Sequence, residues 1–138
     1  MASKRDLNSV LILQKLFCRV ITNSPKRSSS DPLFKSFKIL PMNVLYDYSV
    51  MIFMYKFYHE CLPEPVCLFS KKSVHQNMNT RNQHFLTLPK CRTETAKKII
   101  TSYGPKLWNL HCSKICFSCS VKSFKNNVRS LLSTDEYS

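Results

Sequence analysis

His111, Cys112, Cys116 and Cys119 gather one imidazole and three thiols in a short stretch near the C-terminal end of the chain. Donors of this kind bind zinc, but structural zinc sites usually use two separated ligand pairs that grip from both sides of a turn. This cluster is single, and Cys67, Cys91 or His84 completes it only if the fold brings one of them near. The expectation is small apolar thiols packing near a helix start, with no metal and no cofactor. Nucleophilic chemistry at a cysteine needs a base placed in space, and the sequence adjacency of His111 does not supply one. His59, His75 and His84 fall in no site pattern and are expected in surface or partly buried structural roles.

Carboxylates are no more promising for catalysis. Two-metal nucleotidyl transfer requires acids close enough to hold two divalent ions. The 8 Asp and Glu residues are scattered, and there is no Asp-Asp pair. Tyr46-Asp47-Tyr48 offers one carboxylate at the edge of an apolar run, and the adjacent Asp135-Glu136 lies in a tail expected to fray. No catalytic residue is assigned, and the chain is expected not to be an enzyme.

The cations point elsewhere. Lys and Arg number 21 against those 8 acids, a net charge of +13, which creates a field that favours polyanions. Arg81, Arg92, Lys97, Lys98 and Lys106 cluster in sequence around Tyr103 and Trp108. Arginine suits phosphate because its planar fork donates two hydrogen bonds, and an exposed Tyr103 or Trp108 can stack on a base. The competing reading makes the charges an ordinary solvated face and the aromatics core. Because phosphate neutralisation is largely sequence-independent, the expected partner is RNA or DNA bound without specificity. The alternative is a small basic helical module that meets an acidic protein or an anionic surface.

The elements that must position these residues are mainly helical. Leu7, Val10, Leu11, Phe17, Val20 and Ile21 recur near helical spacing, with Lys15 and Arg19 for the opposite side and Asp6 as the expected cap. Residues 24–32, Ser-rich and bounded by two prolines, read as a linker, and a short helix is predicted over 33–40. Residues 43–61 are apolar around almost the full circumference, which predicts a helix central to the core, stopped by Pro63 and Pro65. Residues 71–83 carry neither period and read as loop, and 85–88 as an extended segment ending at Pro89. The only Gly and the only Trp lie close together in Tyr103-Gly104-Pro105-Lys106-Leu107-Trp108-Asn109. Gly followed by Pro predicts a sharp turn, opening a short helix that buries the indole. Val121, Phe124, Val128, Leu131 and Leu132 share one face of a last helix, with Lys122, Lys125 and Arg129 opposite.

The length of 138 residues with 43% hydrophobic content suits one small domain. It divides into an amphipathic helix over 1–23, a linker over 24–32, a small helical domain over 33–132 and a tail over 133–138. The most apolar run, 48–55, is far shorter than the roughly 20 residues of a spanning helix. Seven cysteines cannot all pair with one another, and the first residues do not form a secretory signal. A reducing, intracellular setting is expected, nucleus or cytoplasm, and not secretion.

The order and spacing of several blocks add a second line of inference. Leu13-Gln14-Lys15 with Arg19-Val20-Ile21-Thr22, then Asp31-Pro32-Leu33-Phe34 with Ile39-Leu40-Pro41, come first. Asn79-Thr80-Arg81-Asn82, Leu88-Pro89 with Cys91-Arg92-Thr93, Gly104-Pro105-Lys106-Leu107-Trp108-Asn109 and Ser123-Phe124-Lys125 follow. Over about 7–132 the chain resembles the C-terminal tail of reverse transcriptases (RNA-directed DNA polymerases) from non-LTR, LINE-type retrotransposons of the Jockey superfamily. It departs from that pattern at Leu110-His111, where the family has Leu-Pro, and over 112–119. The resemblance implies a catalytically inactive tail fragment beside an RNA template and a DNA target. The expected fold is mainly α, a small helical domain with a short extended segment and loops, and no polymerase palm.

Overall fold

The computed structural model describes residues 4–63, 84–115 and 119–136. Among them the chain is mainly helical: α1 (Lys4–Ile21), α2 (Asp31–Phe37), α3 (Met42–Tyr58), α4 (Glu94–Lys98), α5 (Ile100–His111), a 3-10 turn (Cys112–Lys114) and α6 (Val121–Glu136). Two compact units are present. One comprises residues 2–47 and 132–138, the other residues 48–131.

In the first unit, α1 packs along α2. Gln14 Nε2 donates to the Leu40 carbonyl at 3.0 Å, and Arg19 Nε donates to the Ser28 carbonyl at 3.1 Å. Cys18, Phe34 and Val44 are buried. Asp6 is the acid of the first turn of α1 rather than its cap, where it still complements the positive end of the helix dipole. Pro32 sits in the first turn of α2, where its missing N–H has no helical partner to lose. That helix therefore starts at Asp31, inside the stretch expected to be linker, and closes before residue 40. The apolar residues of α1 do not all turn inward, contrary to the sequence expectation. Val10, Phe17, Val20 and Ile21 are exposed. Periodicity reports that a helix has an apolar face, and the packing here against α2 uses a different strip of it.

Three helices end in the same way. Asn23, Lys38 and Glu60 take positive φ angles of 49°, 54° and 57°. At each, the left-handed residue donates to the carbonyl three residues back and the next residue to the one five back, as in Glu60 N to Phe57 O at 3.1 Å and Cys61 N to Lys56 O at 2.8 Å. This is the Schellman closure, which glycine usually supplies. The single glycine of the chain is used elsewhere.

In the second unit the buried side chains come from α3 (Val50, Met51, Met54, Tyr55), α5 (Leu107, Trp108) and α6 (Phe124, Val128), with Leu86 from the non-helical segment before α4. Tyr55 stacks on Phe124 with centroids 4.0 Å apart, and Tyr58 stacks on Trp108 at 5.6 Å. Such offset pairs add to the area that the rings bury. Ser120 opens α6: its carbonyl accepts from Phe124 N at 2.8 Å and its hydroxyl from Ser123 N at 3.3 Å. The helix continues through residue 136, so the expected tail is shorter than predicted.

Gly104-Pro105 is not a turn. Both residues lie inside α5, and Gly104 has no positive φ. A proline normally disfavours helical angles in the residue before it through a clash with that residue's Cβ, and glycine has none. Packing provides the second reason. A Cβ built on Gly104 would lie 2.6 Å from Met54 Sδ, so glycine lets α5 approach α3 closely.

Candidate nucleic-acid interface

The segment before α4 is held to α3 and α5 by an aromatic and amide clamp. Trp108 Nε1 donates to the His84 carbonyl at 3.1 Å. Asn109 accepts from Leu86 N at 2.9 Å and donates to Leu86 O at 3.0 Å, satisfying both backbone groups of a residue with 0% exposure. The Tyr58 hydroxyl lies 2.7 Å from His84 Nδ1. Together these bonds fix the segment around His84 and Leu86 against α3 and α5. From there the chain runs to Thr93, whose hydroxyl accepts from Ala96 N at 3.2 Å and caps α4.

Glu94 stands in the first turn of α4 and Lys97 and Lys98 in its last, the arrangement the helix dipole favours at both ends. Lys97 Nζ pairs with Glu94 Oε1 at 2.6 Å. The hydrogen bond and charge of Lys97, and then the charges of Lys98 and Lys106, hold the Glu94 carboxyl below its ordinary range. Lys97 is correspondingly raised by Glu94. The geometry therefore pairs one ammonium group with this carboxylate, while Lys98 and Lys106 act on it through charge alone. Lys97, Lys98 and Lys106 are exposed, as is Arg92 in the segment preceding α4. After one cation is neutralised by Glu94, an excess of positive charge faces solvent. An exposed pair such as Lys97 with Glu94 contributes little to stability.

Of the residues singled out from sequence, Lys97, Lys98 and Lys106 stand exposed on α4 and α5, and Arg92 is exposed in the segment before them. Arg81 lies outside the described residues, as do residues 64–83. Trp108 belongs to the core: it has 0% exposure and its indole N–H is spent on His84, so it is not a stacking platform. Sequence reasoning missed the pairing of Glu94 with Lys97 and the exposed Lys90. An acid three residues before a lysine on a helix was the available signal for the first.

Three members of the histidine and cysteine cluster, His111, Cys112 and Cys119, fall among the described residues. His111 and Cys112 are buried, and Cys116 lies outside the described residues. The Cys119 carbonyl accepts a hydrogen bond from the Tyr55 hydroxyl. Cys91 Sγ lies 2.7 Å from Ser102 Oγ. Among the described residues, no three His, Cys, Asp or Glu side chains converge as a metal site. Burial pushes the Cys112 thiol above its ordinary value, which keeps it protonated and poorly nucleophilic at neutral pH. Burial, followed by the nearby Cys112, raises the Tyr58 phenol as well.

No described helix is long and apolar enough to cross a membrane. No protein-family model, no curated protein and no solved structure matches this chain.

Proposed function

We propose that this chain is a non-catalytic nucleic-acid-binding module, the C-terminal segment of a non-LTR retrotransposon reverse transcriptase. The observation that carries the binding reading is the exposure of Lys97, Lys98 and Lys106 on the adjoining helices α4 and α5, with Glu94, paired to Lys97 at 2.6 Å, the only acid on either helix. Its chemistry is phosphate neutralisation. Exposed ammonium groups on a rigid helical pair meet backbone phosphates, release counterions, and read no base edges. The family assignment rests on the order of sequence blocks, from Leu13-Gln14-Lys15 to Ser123-Phe124-Lys125.

Titration of the purified, reduced protein against labelled single-stranded RNA, single-stranded DNA and duplex DNA over a range of salt tests this reading. Binding that falls steeply with salt and ignores base sequence supports it. Indifference to all three nucleic acids at low salt rules it out. The family assignment has its own test in the genomic DNA upstream of Met1, which should encode a Tyr-x-Asp-Asp block in frame or with one lesion.

A further inference from the structure

The outer face of α1 is apolar from Val10 to Ile21 and faces solvent. Leu13 is 63% exposed, Phe17 66% and Val20 70%, with Val10, Leu16 and Ile21 beside them. By helical rise this stripe is about 17 Å long. Leaving such a strip of large side chains in water costs free energy that surface residues on a monomer rarely incur in so contiguous a form. The opposite side of α1 is packed along α2 and tied by Gln14 to Leu40. Only a half-cylinder is therefore available to an occupant.

Charge selects among the occupants. Within α1, Lys4, Arg5, Lys15 and Arg19 stand against the single acid Asp6, and the whole chain carries +13. A second copy would offer hydrocarbon but bring an equal positive charge. Nucleic acid offers negative charge but no hydrocarbon. An anionic bilayer interface offers both, acyl chains for the apolar strip and a negative surface for a basic chain.

We infer that α1 is an in-plane membrane anchor, which inserts Leu13, Phe17 and Val20 into the acyl boundary of an anionic bilayer. The helix lies in the interface and does not span it. This surface belongs to a different compact unit from the α4 and α5 lysines and is independent of the nucleic-acid reading.

The test is co-sedimentation of the full, reduced chain with vesicles of phosphatidylcholine alone or of equal parts phosphatidylcholine and phosphatidylserine. The Leu13→Gln/Phe17→Gln variant removes the apolar contact without changing charge, at positions exposed in the fold, and circular dichroism verifies its helicity. Binding at least tenfold stronger to the anionic vesicles is expected, with at least a tenfold loss in the variant. A Phe17→Trp variant, compared with the parent chain, should shift its emission to the blue on the same vesicles. Unchanged binding by the double variant would mean attraction by charge alone and overturn the inference. So would equal binding to neutral vesicles, unshifted emission from the Phe17→Trp variant, or a lipid-free dimer abolished by the double variant.

Discussion

Asn109 hydrogen-bonds both backbone groups of Leu86, accepting from its N–H at 2.9 Å and donating to its carbonyl at 3.0 Å across 23 residues of sequence. A side-chain amide here does the work of a neighbouring strand. Replacing it with leucine leaves a buried donor and acceptor without protein partners, a loss of the desolvation cost of each group. Asn109→Leu should lower stability by about 2–4 kcal/mol, read as a shift in the urea midpoint at constant slope. A variant as stable as the parent would show that the segment is held by something other than this amide.

Gly104 and Met54 set the approach of α5 to α3. Alanine at position 104 would improve helix propensity by up to about 1 kcal/mol. It would also place a Cβ 2.6 Å from the sulfur of a methionine with 0% exposure, and overpacking of that kind costs about 1–3 kcal/mol. Overpacking should win, so Gly104→Ala is expected to destabilise the fold. In a Met54→Ala background the same change should become neutral or stabilising. Additive effects in this double-mutant cycle would show that the two residues do not share the contact.

The left-handed caps offer a change of the opposite sign. Lys38 holds φ at 54° in a conformation that costs a residue with a Cβ about 1 kcal/mol relative to glycine. Lys38→Gly should therefore raise stability by roughly 0.5–1 kcal/mol, allowing for the greater freedom that glycine has when unfolded. Thermal unfolding followed by circular dichroism gives the comparison, and a fall in Tm would count against the cap geometry.

Much of this architecture can be read locally, and the exceptions have physical causes. The long apolar run of α3 and the Phe124, Val128, Leu132 spacing of α6 announce helices because the signal lies within a few turns of chain. Gly104-Pro105 misleads because the local turn preference is overridden by packing against Met54, 50 positions earlier in the sequence. Trp108 reads equally as base-stacking platform or core residue until its partner, the His84 carbonyl, is located. The outward apolar strip of α1 could not be separated from the inward one, since spacing gives a face but not its neighbour. The basic residues of the candidate interface were legible as charges, whereas bringing Lys106 to the side of Lys97 and Lys98 depends on α4 meeting α5.

Alkaline pH should act through Cys112 and Tyr58. Both are raised by burial above ordinary values of 9.0 and 10.0. Above those values the unfolded chain releases protons that the folded chain retains, so stability falls as pH rises. Their contribution is fully present below about pH 9 and is lost as pH climbs through the raised folded values. Cys112→Ala should flatten the pH dependence of the urea midpoint above pH 9. An unchanged slope would assign the dependence to other groups.

Phosphate recognition at α4 and α5 is the central claim. Lys98→Glu/Lys106→Glu should be compared with the matched reversal Lys122→Glu/Lys125→Glu on α6, which changes net charge equally at exposed positions. Fluorescence anisotropy with single-stranded RNA over a range of salt gives affinity and its salt slope for both. The α4 and α5 reversal is predicted to weaken binding at least tenfold and to lower the slope by about 0.7 per lost phosphate contact, while the α6 reversal does much less. Equal losses from the two variants would show that total charge, and not this surface, governs binding, and would contradict the claim.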